Sequence, residues 1–199
     1  CIFERGKELQ VGEYPNTIVE AAKEAQFDLP GKHIGSETGL FDIRVNDDVN
    51  VVLGCGLGGT SLINANVSIM ADPRVFEDEC WPQSIRDEAV SLSSQLLDPS
   101  YPLQTTGDSN FLQQGFQRAI SMLKPVQYPA QGEYLAKMQA HKKSASYMSE
   151  KFCRTPINVT FKDGLNHVGV EQTACTLCGD CVSGCNYGAK NTTLMNYLP

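Results

Sequence analysis

The sequence predicts a mixed α/β (α+β) chain in which strands lead and return around a largely helical middle. Three observations predict it. Apolar and polar residues alternate in Leu40-Phe41-Asp42-Ile43-Arg44-Val45, and a second apolar run, Val49-Asn50-Val51-Val52-Leu53, follows the polar turn Asn46-Asp47-Asp48. Glycines at 54, 56, 58 and 59 interrupt that run before an apolar stretch opens at Leu62. From Asp72 onward apolar residues recur at helical spacing. A period of two suits a strand with one buried face, and a period near 3.6 suits an amphipathic helix.

In chain order, Cys1-Ile2-Phe3 reads as the middle of a buried strand that ends at Glu4 and turns through Arg5-Gly6-Lys7. Residues 17–27 carry Ile18, Val19, Ala22 and Ala25, a weak helical period. The runs 40–45 and 49–53 read as a hairpin. Helices are expected over 73–79 and 82–97, then, past a turn-rich stretch at 98–108, over 110–123 and 133–149. Phe111, Phe116, Ile120, Met122, Leu123, Tyr134 and Met138 fall on helical spacing and are expected to form core. Trp81, beside Pro82, reads as a packing anchor. Ile157-Asn158-Val159-Thr160-Phe161 alternates again and predicts a strand.

A chain of 199 residues with 41% hydrophobic residues can bury a core. Its 23 acidic against 16 basic residues leave a net charge of -7, which argues against nucleic acid and anionic membrane surfaces and leaves small molecules as the expected partners. No run approaches the ~20 apolar residues that span a bilayer, so no transmembrane segment is expected, and no basic-then-apolar segment opens the chain. The chain begins without Met and ends on Asn196-Tyr197-Leu198-Pro199, directly after a helical stretch. Both ends read as cut, so further functional groups are expected outside it.

The string Gly54-Cys55-Gly56-Leu57-Gly58-Gly59-Thr60-Ser61-Leu62-Ile63-Asn64 follows a predicted strand. Glycine lacks the Cβ that would hold a ligand off the backbone. Consecutive free N–H groups with Thr60 and Ser61 beside them suit a pyrophosphate or the polar edge of a flavin. A glycine-rich turn packed on a sheet gives the same composition, so glycine count alone does not choose between the two readings.

The order of residue types in this string resembles the first signature of the glucose-methanol-choline family of FAD oxidoreductases, through Gly54, Leu57, Gly58, Gly59, Thr60, Ser61, Ile63 and Asn64. Gly188-Ala189-Lys190-Asn191-Thr192 and 196–199 resemble the stretch that returns to the FAD domain in the same family, on its cholesterol oxidase-like branch. The resemblance implies a partial FAD/NAD(P)-binding Rossmann-like domain with part of a substrate domain, truncated at both ends. It implies a partial FAD-binding domain at 1–72, a largely helical substrate-domain segment at 73–170, and a cysteine-rich segment at 171–199 leading back to the FAD domain. It places flavin contacts at Gly54, Gly58, Gly59, Thr60, Asn64 and Val67, with Ser68 departing from the aromatic residue or alanine usual there. Glu4, at the end of the family's second strand, is the expected acceptor for the adenosine ribose; an ordinary solvent-facing glutamate is the alternative. Lys190 reads as a solvated lysine, with a flavin phosphate or a carboxylate as the alternative partner. The implied reaction is oxidation of the CH–OH group of an alcohol, a sterol being one candidate, by hydride transfer to flavin. Oxygen or a redox partner is the expected electron acceptor, and the family's catalytic His is expected beyond Pro199. No catalytic residue is therefore assigned in this chain. His33, His141 and His167 read as structural or exposed.

Eight cysteines stand at 1, 55, 80, 153, 175, 178, 181 and 185. Cys175, Cys178, Cys181 and Cys185 follow the C-x2-C-x2-C-x3-C spacing of ferredoxins, which predicts a [4Fe-4S] cluster. Zinc and disulfide pairing are the competing readings. In two-cluster ferredoxins the fourth cysteine serves the other cluster, so the fourth ligand is left open between Cys185, Cys153 and a group outside the chain. The proline usual after the fourth cysteine is replaced by Asn186. An iron-sulfur electron-transfer domain without flavin is the alternative to the flavoenzyme. The sequons at Asn66, Asn158 and Asn191 carry weight only in a secreted protein, and Asn66 and Asn191 fall within the candidate sites.

Overall fold

A computed structural model describes residues 1–69, 71–93, 111–129 and 134–199. The fold is mixed α/β, and the chain divides into two compact units, Cys1–Val67 with Asn158–Pro199, and Ser68–Ile157. The predicted turn-rich stretch 98–108 and the ends of three predicted helices, at 94–97, 110 and 133, lie outside the described residues.

The first unit is built on a four-stranded sheet of order β2-β1-β3-β4, with β1 Ala25–Leu29, β2 Lys32–Gly35, β3 Phe41–Arg44 and β4 Val51–Gly54. The predicted hairpin is present, β3 pairing antiparallel with β4 so that Ile43 stands opposite Val52. β1 runs antiparallel to β2 and parallel to β3, which aligns Phe27 with Ile34 on one side and Ile43 on the other. One sheet face thus carries a transverse apolar row, Ile34, Phe27, Ile43 and Val52. The other face carries Gln26 opposite Asp42, both buried.

Buried polar groups persist only when partnered. Gln26 Nε2 donates to the Gly39 carbonyl at 2.7 Å. Asp42 Oδ2 accepts from Arg5 at 3.0 Å and from Arg44 at 3.1 Å. Arg5 also reaches Gln26 Oε1 at 3.2 Å, so one guanidinium serves both buried side chains.

The expected helix over 17–27 is shorter than its pattern. Thr17 and Glu20 form a reciprocal capping box that starts α1, Ile18–Lys23, and the chain then turns into β1. The expected buried strand at Cys1-Ile2-Phe3 is not formed: these residues lie outside the strands and Phe3 is 94% exposed. Among the described residues the apolar triplet has no strand partner, and the first pairing is a parallel bridge between Lys7 and Gly56. A core of Tyr14, Leu40, Leu62 and Ile63, with Leu9, Phe41 and Leu194 packed on it, lies directly behind the glycine-rich segment.

In the return segment the strand expected over 157–161 is confined to β6, Pro156–Ile157, while Val159 bridges Lys190. A small ladder joins β7, Gly164–Leu165, to β8, Glu171–Gln172. A last short helix, α5, spans Thr193–Asn196.

The second unit holds α2 Gln83–Ser93, α3 Phe111–Leu123 and α4 Ala136–Tyr147, with β5 Val126–Gln127 pairing β6. The expected helix over 73–79 is a 3-10 turn, Pro73–Glu77, in which Asp72 accepts from the Arg74 N–H at 3.0 Å. Its core joins Ala89 and Leu112 with Phe76, Ile85 and Phe116. Trp81 anchors the turn: its indole donates to the Val75 carbonyl at 3.0 Å and its ring lies 5.2 Å from that of Phe76.

Candidate functional site

The glycine-rich segment begins where β4 stops. At Gly54 the chain folds back on itself: the Gly54 N–H donates to Thr60 Oγ1 at 3.1 Å, and a Cβ here would collide with the Gly59 carbonyl and with Thr60 Cα. Only glycine permits that approach. Gly58 and Gly59 then take left-handed backbone, with φ of 114° and 58°. They launch a 3-10 turn over Gly59–Leu62, whose Leu62 is fully buried. Burial of Leu62 and Ile63 fixes the underside of the turn, each such side chain contributing roughly 1.5–3 kcal/mol.

The outer surface of the turn is different. A Cβ on Gly59 would meet nothing within 4 Å, so the backbone there borders open space. Thr60, Asn64 and Val67 are exposed. Asn64 Oδ1 accepts from the Asn66 N–H at 3.2 Å, which orients its amide. The expected flavin contacts therefore divide into two groups by role. Gly54, Gly58 and the Thr60 hydroxyl build the loop, whereas Gly59 borders open space and Asn64 and Val67 are exposed beside it. Gly6 packs against Gly56, and Leu57 N–H donates to the Lys7 carbonyl at 2.9 Å, which brings the first residues alongside the loop. Glu4 is exposed and its Oε1 accepts from the Gly6 N–H at 2.7 Å.

The two stretches that carried the family resemblance meet in space. Thr193 Oγ1 donates to the Gly58 carbonyl at 3.1 Å, the Ser61 hydroxyl donates to the same carbonyl at 2.6 Å, and the Thr193 N–H donates to Ser61 Oγ at 3.1 Å. These bonds hold the entry of the turn. Its exit is held by Lys190, whose ammonium donates to the carbonyls of Leu62 at 3.0 Å and Asn64 at 2.7 Å, and to that of Cys181 at 2.8 Å. Lys190 is 1% exposed, which corrects the sequence reading of a solvated lysine. Desolvation draws its pKa down to about 8, against a smaller upward pull from the Cys181 and Cys185 thiols. Nothing in local sequence marks this burial, because lysine is almost always exposed unless it is partnered.

Cys181 is tied to the loop a second time, its Sγ accepting from Asn66 Nδ2 at 3.2 Å. Asn66 is itself buried and in left-handed backbone, φ 63°. Burial pushes the Cys181 thiol pKa up, partly offset by the Asn66 bond. All eight cysteines are free thiols. Among the described residues no group of three or more His, Cys, Asp or Glu side chains converges to hold a metal ion, so the arrangement of Cys175, Cys178, Cys181 and Cys185 lends the cluster expectation no support. Cys153, the remote thiol considered as a fourth ligand, is exposed and belongs to the second unit. Asn186, in the place of the usual proline, pairs with the backbone of Tyr14. Its Oδ1 accepts from the Tyr14 N–H at 2.9 Å while its Nδ2 donates to the Tyr14 carbonyl at 3.0 Å.

No protein-family model matches the chain. It is similar to proteins named cholesterol oxidase: 28% identical over 175 residues to those of Mycobacterium tuberculosis strains CDC 1551 / Oshkosh and H37Rv, covering 80% of this chain and 26% of the relative. It is 23% identical over 172 residues to that of Acinetobacter baumannii, covering 80% of this chain and 27% of the relative. The chain spans about a quarter of the length of the curated relatives it matches. No helix among the described residues is long and apolar enough to cross a membrane.

Proposed function

We propose that this chain is part of an FAD-dependent oxidoreductase of the glucose-methanol-choline type, which oxidises the CH–OH group of an alcohol. The observation that carries this reading is the glycine turn at 58–62, which is clamped from behind by Thr193 and Lys190 and opens outward at Gly59. The similarity to cholesterol oxidases adds to it and suggests a sterol or similarly bulky alcohol as substrate. On this reading the first unit is a partial Rossmann-like FAD domain, and the helical middle of the chain belongs to the substrate domain.

FAD, when bound, supplies the chemistry by accepting a hydride from the carbinol carbon, and oxygen or a redox partner takes the electrons onward. This chain's residues bind and orient. Gly59, Asn64 and Val67 present the surface on which the cofactor lies, with Thr60 fixing the turn, and Gly54 and Gly58 keep the backbone out of its way. Glu4, alongside the loop through the Lys7–Gly56 bridge, is the ribose acceptor. The base that removes the hydroxyl proton is contributed from outside the chain.

A visible spectrum of the complete polypeptide tests the reading. Two flavin bands, FAD released on denaturation, and bleaching of those bands by a sterol alcohol under anaerobic conditions are expected. A spectrum without flavin, or with broad iron-sulfur absorbance alone, overturns it.

A further inference from the structure

Lys190 does more than fill a hole in the core. A buried ammonium is costly unless its donors are met, and here all three bonds go to backbone carbonyls. Two of those carbonyls, Leu62 and Asn64, bracket the exit of the glycine turn, and the third belongs to Cys181, which opens the 3-10 turn Cys181–Ser183 in the distant cysteine segment. The Asn66 amide makes a second link, from the residue two beyond Asn64 to the Cys181 sulfur. The exit of the turn is thus fixed against Cys181 at two points, while its outer side at Gly59 stays open. Backbone carbonyls held by a cation cannot rotate freely, so the direction of the exposed Asn64 follows from where Lys190 sits.

Building on the flavin reading above, we propose that Lys190 is a positioning residue for the cofactor: its ammonium sets the exit of the glycine turn in the conformation that receives FAD, and it couples that conformation to the turn at Cys181. Coupling of this kind is reciprocal, so FAD that orders the glycine turn also orders the Cys181 turn.

The complete polypeptide, wild type and Lys190→Met, is stripped of FAD and titrated with it by flavin fluorescence, and each is melted with and without FAD. Positioning by Lys190 predicts FAD binding weakened about tenfold or more, and a smaller rise in Tm on adding FAD than in wild type. Equal falls in Tm with and without FAD, at unchanged FAD affinity, mark a purely structural lysine and overturn the proposal. A wild-type protein that takes up no FAD overturns the flavin reading itself, and the proposal falls with it. Hydrogen exchange on the unaltered protein provides a measurement independent of whether the variant folds. FAD is expected to slow amide exchange at 181–184 as well as at 59–64, and protection confined to 59–64 overturns the coupling.

Discussion

The Thr193 hydroxyl stands 3.1 Å from the Gly58 carbonyl, joining residues 135 positions apart in the chain. It shares that carbonyl with Ser61, so the entry of the glycine turn is held by two hydroxyls. Thr193→Val keeps the shape and removes one of them. A loss of about 1 kcal/mol in unfolding free energy is expected, read from a urea melt of the complete polypeptide. FAD affinity should fall with it, because the carbonyl of the left-handed Gly58 then keeps Ser61 as its one hydroxyl donor. Unchanged stability together with unchanged FAD affinity would show that Ser61 alone suffices.

Two glycine substitutions separate building the loop from facing the ligand. Gly54→Ala forces a Cβ into the Gly59 carbonyl, and a loss of about 1–3 kcal/mol or more of stability is expected. Gly59→Ala meets open space, and its φ of 58° costs only about 1–2 kcal/mol. Its larger effect should fall on FAD binding, measured by fluorescence titration of the apoprotein. A Gly59→Ala protein that binds FAD as wild type does would place the cofactor elsewhere.

Asn186 joins the cysteine segment to Tyr14 through two hydrogen bonds in the manner of a strand pair. Asn186→Ala removes both and strands the Tyr14 backbone groups, with an expected cost of about 2 kcal/mol. Asn186→Asp retains the acceptor and loses the donor, so its cost should be the smaller of the two. Equal losses in the two melts would argue that the amide donor matters more than the carbonyl.

The capping box of α1 makes that helix sensitive to acid. Hydrogen bonds from the Asn16 and Thr17 N–H groups hold the Glu20 pKa below its usual value of 4.5. A carboxylate depressed in the folded state contributes stability that is present above its unfolded pKa and lost as pH falls through the folded one. Amides of 18–23 should therefore exchange faster as pH drops below about 4.5, after correction for intrinsic rates, and Glu20→Gln should remove that dependence. Thr17→Ala, which strips the other half of the box, should cost about 1 kcal/mol.

What the sequence made legible followed from period and from motif. The alternation of 40–45 and 49–53 produced β3 and β4 with the period right and the buried face reversed, since Asp42 is buried while Val52 is exposed; the helical spacing of 110–123 produced α3, with Leu112 and Phe116 in the core and Phe111, expected there, 72% exposed. The β1–β2 hairpin was not legible. Its apolar members Phe27 and Ile34 sit on a partly exposed face, and Ile18, Val19, Ala22 and Ala25 ran a helical pattern into β1 that the chain abandons at Lys23. Cys1-Ile2-Phe3 looked like strand by composition, but a strand is defined by its partner, and composition does not reveal that the triplet has none among the described residues. The loop at 54–64 could be found from its residue types. The lysine that anchors it could not, because three carbonyl acceptors drawn from residues 62, 64 and 181 leave no mark on local sequence.

The bonds from Lys190 and Thr193 have a consequence for the order of events during synthesis. Closing a span of well over a hundred residues is a late step, since the intervening chain must be made and its entropy surrendered first. Translation delivers the glycine turn long before it delivers its anchors, so a ribosome-bound chain halted near residue 150 carries the whole signature string and still lacks what shapes it.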